Sequence, residues 1–178
     1  MNIDNIQSFF CQISKILDLY TGADCKSSHQ IIVENQGSIH KIWTSLYSTV
    51  SDVKKGIVKC RMLTGTYLLQ KDKHKFSNGK VQADCVLYCM GDEDIIHMLT
   101  QCSALHEIRR EQMQILKKTV VEYTCKTTWN CHFINPESIT QLILDCTLFR
   151  TVFTSSSQLD DIMRKTSDLC YKMHVPIR

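Results

Sequence analysis

Four side chains that bind soft or borderline metal ions lie close together near the middle of the chain. Cys85, Cys89, His97 and Cys102 form the pattern Cys-x3-Cys-x7-His-x4-Cys. Three thiolates and one imidazole can close a tetrahedron around Zn²⁺, because its filled d shell imposes no other geometry. Four protein ligands leave no coordination position for water, so the spacing predicts a structural zinc ion.

The other cysteines leave an alternative open. The chain has 10 cysteines, so buried thiols beside one ordinary histidine could give the same cluster by chance. We favour the metal site because paired cysteines followed by His-x4-Cys form a recognised ligand pattern. Cys125 and Cys131-His132 could form only a partial rival site, and we expect them in the core or in loops.

A second chemical signal is a basic block between Lys54 and Lys80. Its net charge is +7, which leaves the rest of the chain at −4 although the whole chain carries only +3. Such a block can attract phosphate, and the alternative is a solvated surface that keeps the protein in solution. The candidate phosphate contacts are Lys54, Lys55, Lys59, Arg61, Lys71, Lys73 and Lys75, with Arg109 a weaker candidate outside the block.

Three aromatic residues near these candidates could stack on unpaired bases. They are Tyr67, Phe76 and Tyr88. Base stacking on aromatic rings tolerates any sequence, because every base has a flat face. The alternative is that these rings belong to the core, which is the commoner place for an aromatic residue in a helical chain.

The segment that must position the metal ligands is predicted to be a turn followed by a short helix. Gly91 allows the turn, and Asp92 or Asp94 can cap a helix that carries His97. Cys102 would then lie at or just beyond the end of that helix, where the chain can bend back toward the ion.

Apolar residues recur at steps of three and four in the first half of the chain, which predicts amphipathic helices. The first occupies residues 3–20, and the second begins after Ser38 and continues to Val50. A third helix follows a cap at Ser51 or Asp52 and ends near Gly65, with Val53, Ile57, Cys60 and Leu63 on its apolar stripe. We expect residues 71–80 to form an exposed basic loop that ends in a turn at residues 77–79.

The second half of the chain also has helical periodicity. Ser103 can cap one helix, residues 127–135 are predicted to break the pattern, and Asn135-Pro136 can start the next. The last helix ends before Pro176 and has inward positions at Leu159, Ile162, Met163, Leu169, Cys170 and Met173.

These patterns predict a mainly α fold, a small helical domain with a zinc-knuckle-like Cys3His insertion. We divide the chain into an N-terminal helix and connector (1–37), a zinc-binding helical domain (38–124, with the cluster at 85–102) and a C-terminal helical pair (125–178). No sustained period-two alternation and no internal repeat is present.

Composition and missing motifs exclude several classes of protein. Apolar residues make up 43% of the chain and there are only 6 Gly and 2 Pro, which argues against disorder. The longest apolar runs are far shorter than the ~20 residues of a membrane span, and the first twenty residues do not resemble a secretory signal. We therefore expect an intracellular protein of the nucleus or cytoplasm, where clustered cysteines are more often metal ligands than disulfides.

The sequence also lacks the motifs of common catalytic sites. It contains no Tyr-x-Asp-Asp, no Gly-x4-Gly-Lys-Ser/Thr, no Gly-x-Ser-x-Gly and no His-Glu-x-x-His. No Cys-x-x-Cys occurs either, which disfavours a thiol redox protein. We expect no catalysis by this chain and no small-molecule substrate.

The segment Cys-Arg-Met-Leu-Thr-Gly-Thr-Tyr-Leu-Leu-Gln (60–70), the basic stretch after it, the four predicted ligands and Arg109 resemble a known family. They are similar to the zinc-binding region near the C-terminal end of non-LTR retrotransposon reverse transcriptases. The similarity covers about residues 43–111, and Leu-Thr-Gly-Thr-Tyr (63–67) is as informative as the cysteines. One departure is that three residues, 86–88, separate Cys85 from Cys89, where the family usually has two.

This resemblance implies a non-catalytic zinc-stabilised module that holds RNA or template, and its partners would be single-stranded RNA or DNA and an upstream polymerase domain. Met1 begins directly in a predicted amphipathic helix, as expected of a fragment that lacks its polymerase. The alternative is a helical protein-interaction module in which the zinc ion is only a structural staple and nucleic acid has no role.

Overall fold

The computed structural model describes residues 40–45, 49–87 and 91–177. Within these ranges the protein is mainly helical, as the sequence predicts. Seven α-helices are described, which we number α1 (Lys41–Thr44), α2 (Val50–Leu63), α3 (Gln70–Phe76), α4 (His106–Tyr123), α5 (Lys126–His132), α6 (Pro136–Leu144) and α7 (Ser156–His174). Shorter turns are π-helical at His97–Gln101 and 3-10 helical at Ser103–Leu105, Cys146–Phe149 and Val175–Ile177.

The last helix, α7, lies at the centre of the fold. It packs against α2 and α4 and also contacts α1 and α6. This helix begins with a capping box. The Ser155 side chain accepts a hydrogen bond from the backbone of the first turn, and the Gln158 side chain accepts one from the Ser155 amide. Full burial stabilises the fold by about 1.5–3 kcal/mol for each large apolar side chain. The predicted inward positions are confirmed as buried: Leu159, Ile162, Met163, Leu169, Cys170 and Met173.

The buried face of α2 differs from the predicted one. Val53 and Ile57, predicted to face inward, are 45% and 40% exposed, whereas Lys59 and Met62 are buried. Hydrophobic periodicity treats lysine as polar, but a lysine stem can be buried when its ammonium group finds acceptors. Thr49, and neither Ser51 nor Asp52, caps this helix by accepting a hydrogen bond from the Asp52 amide.

The helix predicted from residue 39 to residue 50 is divided in the structure. The first part, α1, ends at Thr44, and α2 begins at Val50. Lys41 Nζ and Ser45 Oγ both bind Asp160 Oδ1 on α7, at 2.7 and 2.6 Å. These contacts hold the end of α1 against α7, and the cap at Thr49 starts a new helix. The predicted cap Ser38 and the helix predicted for residues 3–20 lie outside the described residues.

Two segments predicted as irregular are helical. The expected basic loop contains α3, which is followed by the predicted turn, where Asn78 and Gly79 have φ of 51° and 82°. The expected break at residues 127–135 contains most of α5. In this segment the centres of the Trp129 and Phe133 rings are 5.3 Å apart. Tertiary contacts stabilise both helices, although their local sequences favour turns or loops.

The described residues from 40 to 177 form one compact unit. Helices of the predicted zinc-binding domain (α2, α4) and of the predicted C-terminal pair (α6, α7) share one core. The N-terminus of α6 has the predicted start, because Asn135 Oδ1 accepts a hydrogen bond from Ser138 N at 2.7 Å ahead of Pro136. Over the described ranges, no helix is both long and apolar enough to span a bilayer.

Candidate metal centre

The first metal-ligand candidate lies on a short hairpin. Glu93 N donates to Ala83 O at 2.8 Å and Cys85 N donates to Gly91 O at 3.1 Å, and an isolated antiparallel bridge joins the two arms. Gly91 has φ of 109°, a conformation that side chains rarely allow. The hairpin therefore depends on this glycine, as the sequence predicts, and it holds the Cys85 side chain in a buried position.

The other two described candidates are joined by a wide helical turn. Asp94 Oδ1 accepts a hydrogen bond from His97 N at 2.9 Å, which confirms the predicted cap. The Cys102 amide donates to the His97 carbonyl at 2.7 Å, an i→i+5 bond. In an α-helix, residues five apart point in directions that differ by about 140°. The π-helical turn brings His97 and Cys102 back to the same side.

Cys85, His97 and Cys102 converge on one point. Their donor atoms all lie within 4.8 Å of one another, and the two Sγ atoms are 3.9 Å apart. Two thiolates in a tetrahedral zinc site with bonds of about 2.3 Å are separated by about 3.8 Å. All three side chains are at least 93% buried. This group could therefore hold a metal ion.

The imidazole of His97 supplies a second sign of metal binding. Its Nε2 atom is buried and has no hydrogen-bond partner among the described residues. A buried polar atom without a partner costs about 1–3 kcal/mol, so nearly all such atoms are satisfied in folded proteins. Coordination of an ion would satisfy this nitrogen. Cys89, the predicted fourth ligand, lies outside the described residues.

Acidic groups beside the metal centre fasten it to α3. Lys71 Nζ lies 2.9 Å from Asp94 Oδ2 and 3.7 Å from Asp92 Oδ2. Burial disfavours the charged form of Asp94, but the His97 amide and the Lys71 ammonium hold the pKa of Asp94 below its ordinary value. The buried Glu93 carboxylate accepts a hydrogen bond from Gln70 N at 3.0 Å, at the start of α3.

Three of the predicted phosphate contacts already bind groups of the protein, one of them in the core and two in partly exposed ion pairs. Lys59 is fully buried, and its Nζ donates to Thr166 Oγ1 and to Met163 Sδ at 2.8 Å, so the prediction that Lys59 contacts phosphate is wrong. Lys55 pairs with Asp168 at 2.7 Å, and Lys71 pairs with Asp94 as described.

The other candidates in the basic block reach solvent. Lys54, Lys73 and Lys75 are exposed, and in the described part of the chain no carboxylate lies within salt-bridge distance of them. Arg61 is also exposed, with its guanidinium 5.9 Å from the centre of the Tyr67 ring. Arg109 is half-buried and donates from Nη1 to the Cys102 carbonyl at 2.8 Å, so it supports the metal centre.

The described aromatic candidates also differ in burial. Tyr67 is buried, and its hydroxyl lies 2.7 Å from His174 Nδ1, which makes it a core residue. Phe76 is 77% exposed and remains open to a ligand. Tyr88 lies outside the described residues.

The rival cysteines form no second centre. Cys125 is exposed and caps α5 by accepting a hydrogen bond from Thr128 N, and Cys131 is exposed as well. Among the described residues, no other group of three or more His, Cys, Asp or Glu side chains brings its donors this close together.

Comparisons of this chain with protein-family models, with curated proteins and with solved structures gave no match. The resemblance in residues 43–111 therefore rests on the sequence motifs alone.

Proposed function

We propose that this chain is a non-catalytic nucleic-acid-binding module stabilised by a structural zinc ion. The supporting observation is the buried convergence of Cys85, His97 and Cys102, with an imidazole nitrogen that has no other described partner. Two thiolates and an imidazole suit Zn²⁺ better than Mg²⁺ or Ca²⁺, which prefer oxygen ligands. In this proposal Cys89 supplies the fourth donor, and the chain is a fragment of a non-LTR retrotransposon reverse transcriptase with an upstream polymerase domain as its partner.

Nucleic acid would be held through its phosphates by the solvent-exposed cations of the basic block. These are Lys54 and Arg61 on α2 and Lys73 and Lys75 on α3. Contacts of this kind carry no sequence information, so binding would tolerate any single strand. Four neutralised phosphates give a log-log slope of the binding constant against salt of about −2.8 on single strands.

Hydrogen bonds connect the hairpin of the metal centre to α3, which carries two of the exposed lysines. Lys71 N donates to Glu93 O at 3.2 Å, and the Glu93 carboxylate binds the first amide of α3. The hairpin thus holds the start of α3, and Lys73 and Lys75 follow within the same helix. A zinc ion that orders the hairpin would also fix these two lysines in place.

The zinc assignment is tested by measuring metal content in matched cysteine variants. Cys85→Ser removes a proposed ligand, and Cys125→Ser changes an exposed cysteine outside the cluster. We expect one zinc ion per chain in the wild type and in Cys125→Ser, and none in Cys85→Ser. Full zinc content in Cys85→Ser would contradict the assignment.

The nucleic-acid role is tested with a labelled single-stranded RNA and fluorescence anisotropy. K73Q/K75Q removes two exposed cations of α3, and K118Q/K172Q removes two exposed cations elsewhere. Each lost phosphate contact weakens binding about fivefold at 0.1 M salt, because the slope per contact is about 0.7. We expect about 25-fold weaker binding by K73Q/K75Q and little change in K118Q/K172Q.

A second candidate function is a helical protein-interaction module in which the zinc ion is only a staple. The apolar side chains of Val50, Val53 and Ile57 favour it, because they lie at i, i+3 and i+7 on α2 and are 75%, 45% and 40% exposed. Zinc binding without any RNA binding at low salt would support this alternative and exclude the first proposal.

A further inference from the structure

A groove of about 370 Å³ lies between α4, α5 and α6, outside the basic block. Its rim is basic and its floor is apolar. No carboxylate among the described residues lines it. The residues that matter here are Thr100, Arg109, Arg110, Lys117, Trp129 and Ile139.

The basic rim is available to an anion. Arg110 and Lys117 are seven residues apart on α4, so they lie on the same face, and both are exposed. Arg110 pairs with Glu107 at 2.6 Å, but both side chains are more than 60% exposed. Exposed ion pairs of this kind contribute little, so a phosphate can replace Glu107 at Arg110. Guanidinium groups also bind phosphate in a bidentate manner.

The floor suits a flat apolar group. Met113, Ile139 and Trp129 line it, and the Trp129 ring packs against Phe133. The Lys117 ammonium lies 5.7 Å from the centre of the Trp129 ring, so positive charge is placed directly above the apolar surface. A ligand that combines negative charge with a flat ring matches this arrangement, and an acidic peptide would use only the charge.

The groove shares a wall with the candidate metal centre. Thr100 belongs to the π-helical turn between His97 and Cys102. Arg109, another lining residue, donates to the Cys102 carbonyl. The segment that carries two metal ligands therefore also shapes one side of the groove.

We infer that this groove binds nucleotide units of a single-stranded nucleic acid, with a phosphate at Arg110 and Lys117 and a base against the apolar floor. The inference rests on the proposed nucleic-acid function and adds a contact surface distinct from the lysines of α2 and α3. A strand bound at both surfaces would be held on two sides of the zinc-binding segment.

The test compares two double variants of the full-length protein. R110Q/K117Q removes both exposed cations of the groove, whereas K118Q/R150Q removes one lysine and one arginine that are exposed and lie outside it. The probe is a fluorescein-labelled oligouridylate of about 15 nucleotides, within the range of site sizes known for single-strand-binding proteins. We expect R110Q/K117Q to bind about 25-fold more weakly at 0.1 M salt, with a salt slope smaller by about 1.4.

A second readout reports on the floor. In a Trp43→Phe background, Trp129 is the remaining tryptophan. We expect oligouridylate to quench its fluorescence, and we expect the R110Q/K117Q changes to abolish that quenching at the same RNA concentration. Arg110 and Lys117 are exposed, so circular dichroism should show that R110Q/K117Q leaves the fold unchanged.

The outcomes separate this inference from the proposed function. If R110Q/K117Q binds like K118Q/R150Q while K73Q/K75Q is weakened, the groove is excluded and the nucleic-acid function stands. If the wild type binds no RNA at low salt, both are overturned. If a poly-glutamate peptide binds as tightly, with the same dependence on Lys117, the groove recognises acidic peptides and the nucleotide assignment is wrong.

Discussion

Two buried nitrogen atoms occupy opposite situations in this protein. At the metal centre, His97 Nε2 has no hydrogen-bond partner in the described part of the chain. At the interface of α2 and α7, the equally buried Lys59 Nζ donates to Thr166 and Met163. The first nitrogen lacks a partner among the described residues, and the second has two acceptors within the protein. Burial of a polar side chain therefore marks a candidate binding site only when its partners are missing.

The two regions also differ in what holds them together. The helical core around α7 buries a contiguous set of large apolar side chains. In the described arms of the hairpin, 83–87 and 91–93, two backbone hydrogen bonds join the strands, Gly91 has a positive φ, and Cys85 belongs to the cluster of metal-ligand candidates. The core should therefore remain folded without metal, and the hairpin should not.

Removal of the metal is expected to have the largest effect. Structural zinc sites contribute apparent binding energies of about 10–16 kcal/mol. With a chelator, we expect the hairpin arms, residues 83–87 and 91–93, to lose amide hydrogen-exchange protection while the middle of α7 keeps it. Cys102→Ser serves as the control, because this variant should show no further response to the chelator. Loss of protection in α7 to the same extent would show that the two regions fold as one unit.

Replacement of Lys59 is expected to have a smaller and opposite effect. Lys59→Met keeps the volume of the side chain and removes a buried charge, and Thr166 Oγ1 still donates to the Ile162 carbonyl at 2.8 Å. Apolar replacements of buried ion pairs are often neutral or stabilising by about 1–4 kcal/mol, and we expect the same direction for the buried Lys59 charge. We expect urea unfolding to show a more stable variant, and Lys54→Met, at an exposed site on the same helix, to stay within about 0.5 kcal/mol of the wild type.

The stability that Lys59→Met gains over the wild type should depend on pH. Burial lowers the pKa of Lys59 below the 10.5 of an exposed lysine. Between these two pKa values the unfolded chain binds more protons than the folded chain, so wild-type stability rises with pH in that window and is lost as pH falls. The stability gained from methionine should therefore shrink as the pH rises toward 10.5. Burial raises the pKa of Cys146 and Cys170 to about 11, and the Lys59 charge opposes that rise, so both thiols also differ between the two proteins at alkaline pH.

A paired glycine substitution is expected to have the smallest effect. Gly91 and Gly65 both have positive φ, 109° and 69°, so alanine strains the backbone at either site by about 1–3 kcal/mol. An added Cβ at Gly91 would lie 3.9 Å from His97 Nδ1, whereas at Gly65 it would meet nothing within 4 Å. We expect both variants to lose stability in urea unfolding, and only Gly91→Ala to lose zinc affinity in a chelator competition. Equal zinc affinity in both variants would contradict the role of the hairpin in the site.

Much of the fold could be predicted from local patterns. The inward stripe of α7 and the Asn135-Pro136 start of α6 were readable because apolar spacing and capping act within a few residues. The buried face of α2 and the helix α3 were not. Lys59 faces inward because α7 supplies its acceptors, and α3 begins where Glu93, more than twenty residues later in the chain, binds its first amide.

The candidate metal centre, too, was predictable only where the signal is local in the sequence. Spacing selected Cys85, His97 and Cys102 together with Cys89, and Asp94 was one of the two predicted caps. The i→i+5 turn was not predictable, because it depends on how Leu99 and its neighbours pack into the core. The groove beside α4 was missed as well, since its cations and its floor come from helices that meet only in the folded protein.

The wide turn between His97 and Cys102 constrains how this sequence can change. The four residues between them can be exchanged for others that keep the packing, because the turn is closed by backbone atoms. One inserted residue is tolerated less easily, since it would rotate Cys102 by about 100° around the helix axis, away from Cys85, whereas a deletion would replace the wide turn by the i→i+4 spacing of an ordinary α-helix. Length, more than residue identity, is what this short segment must preserve.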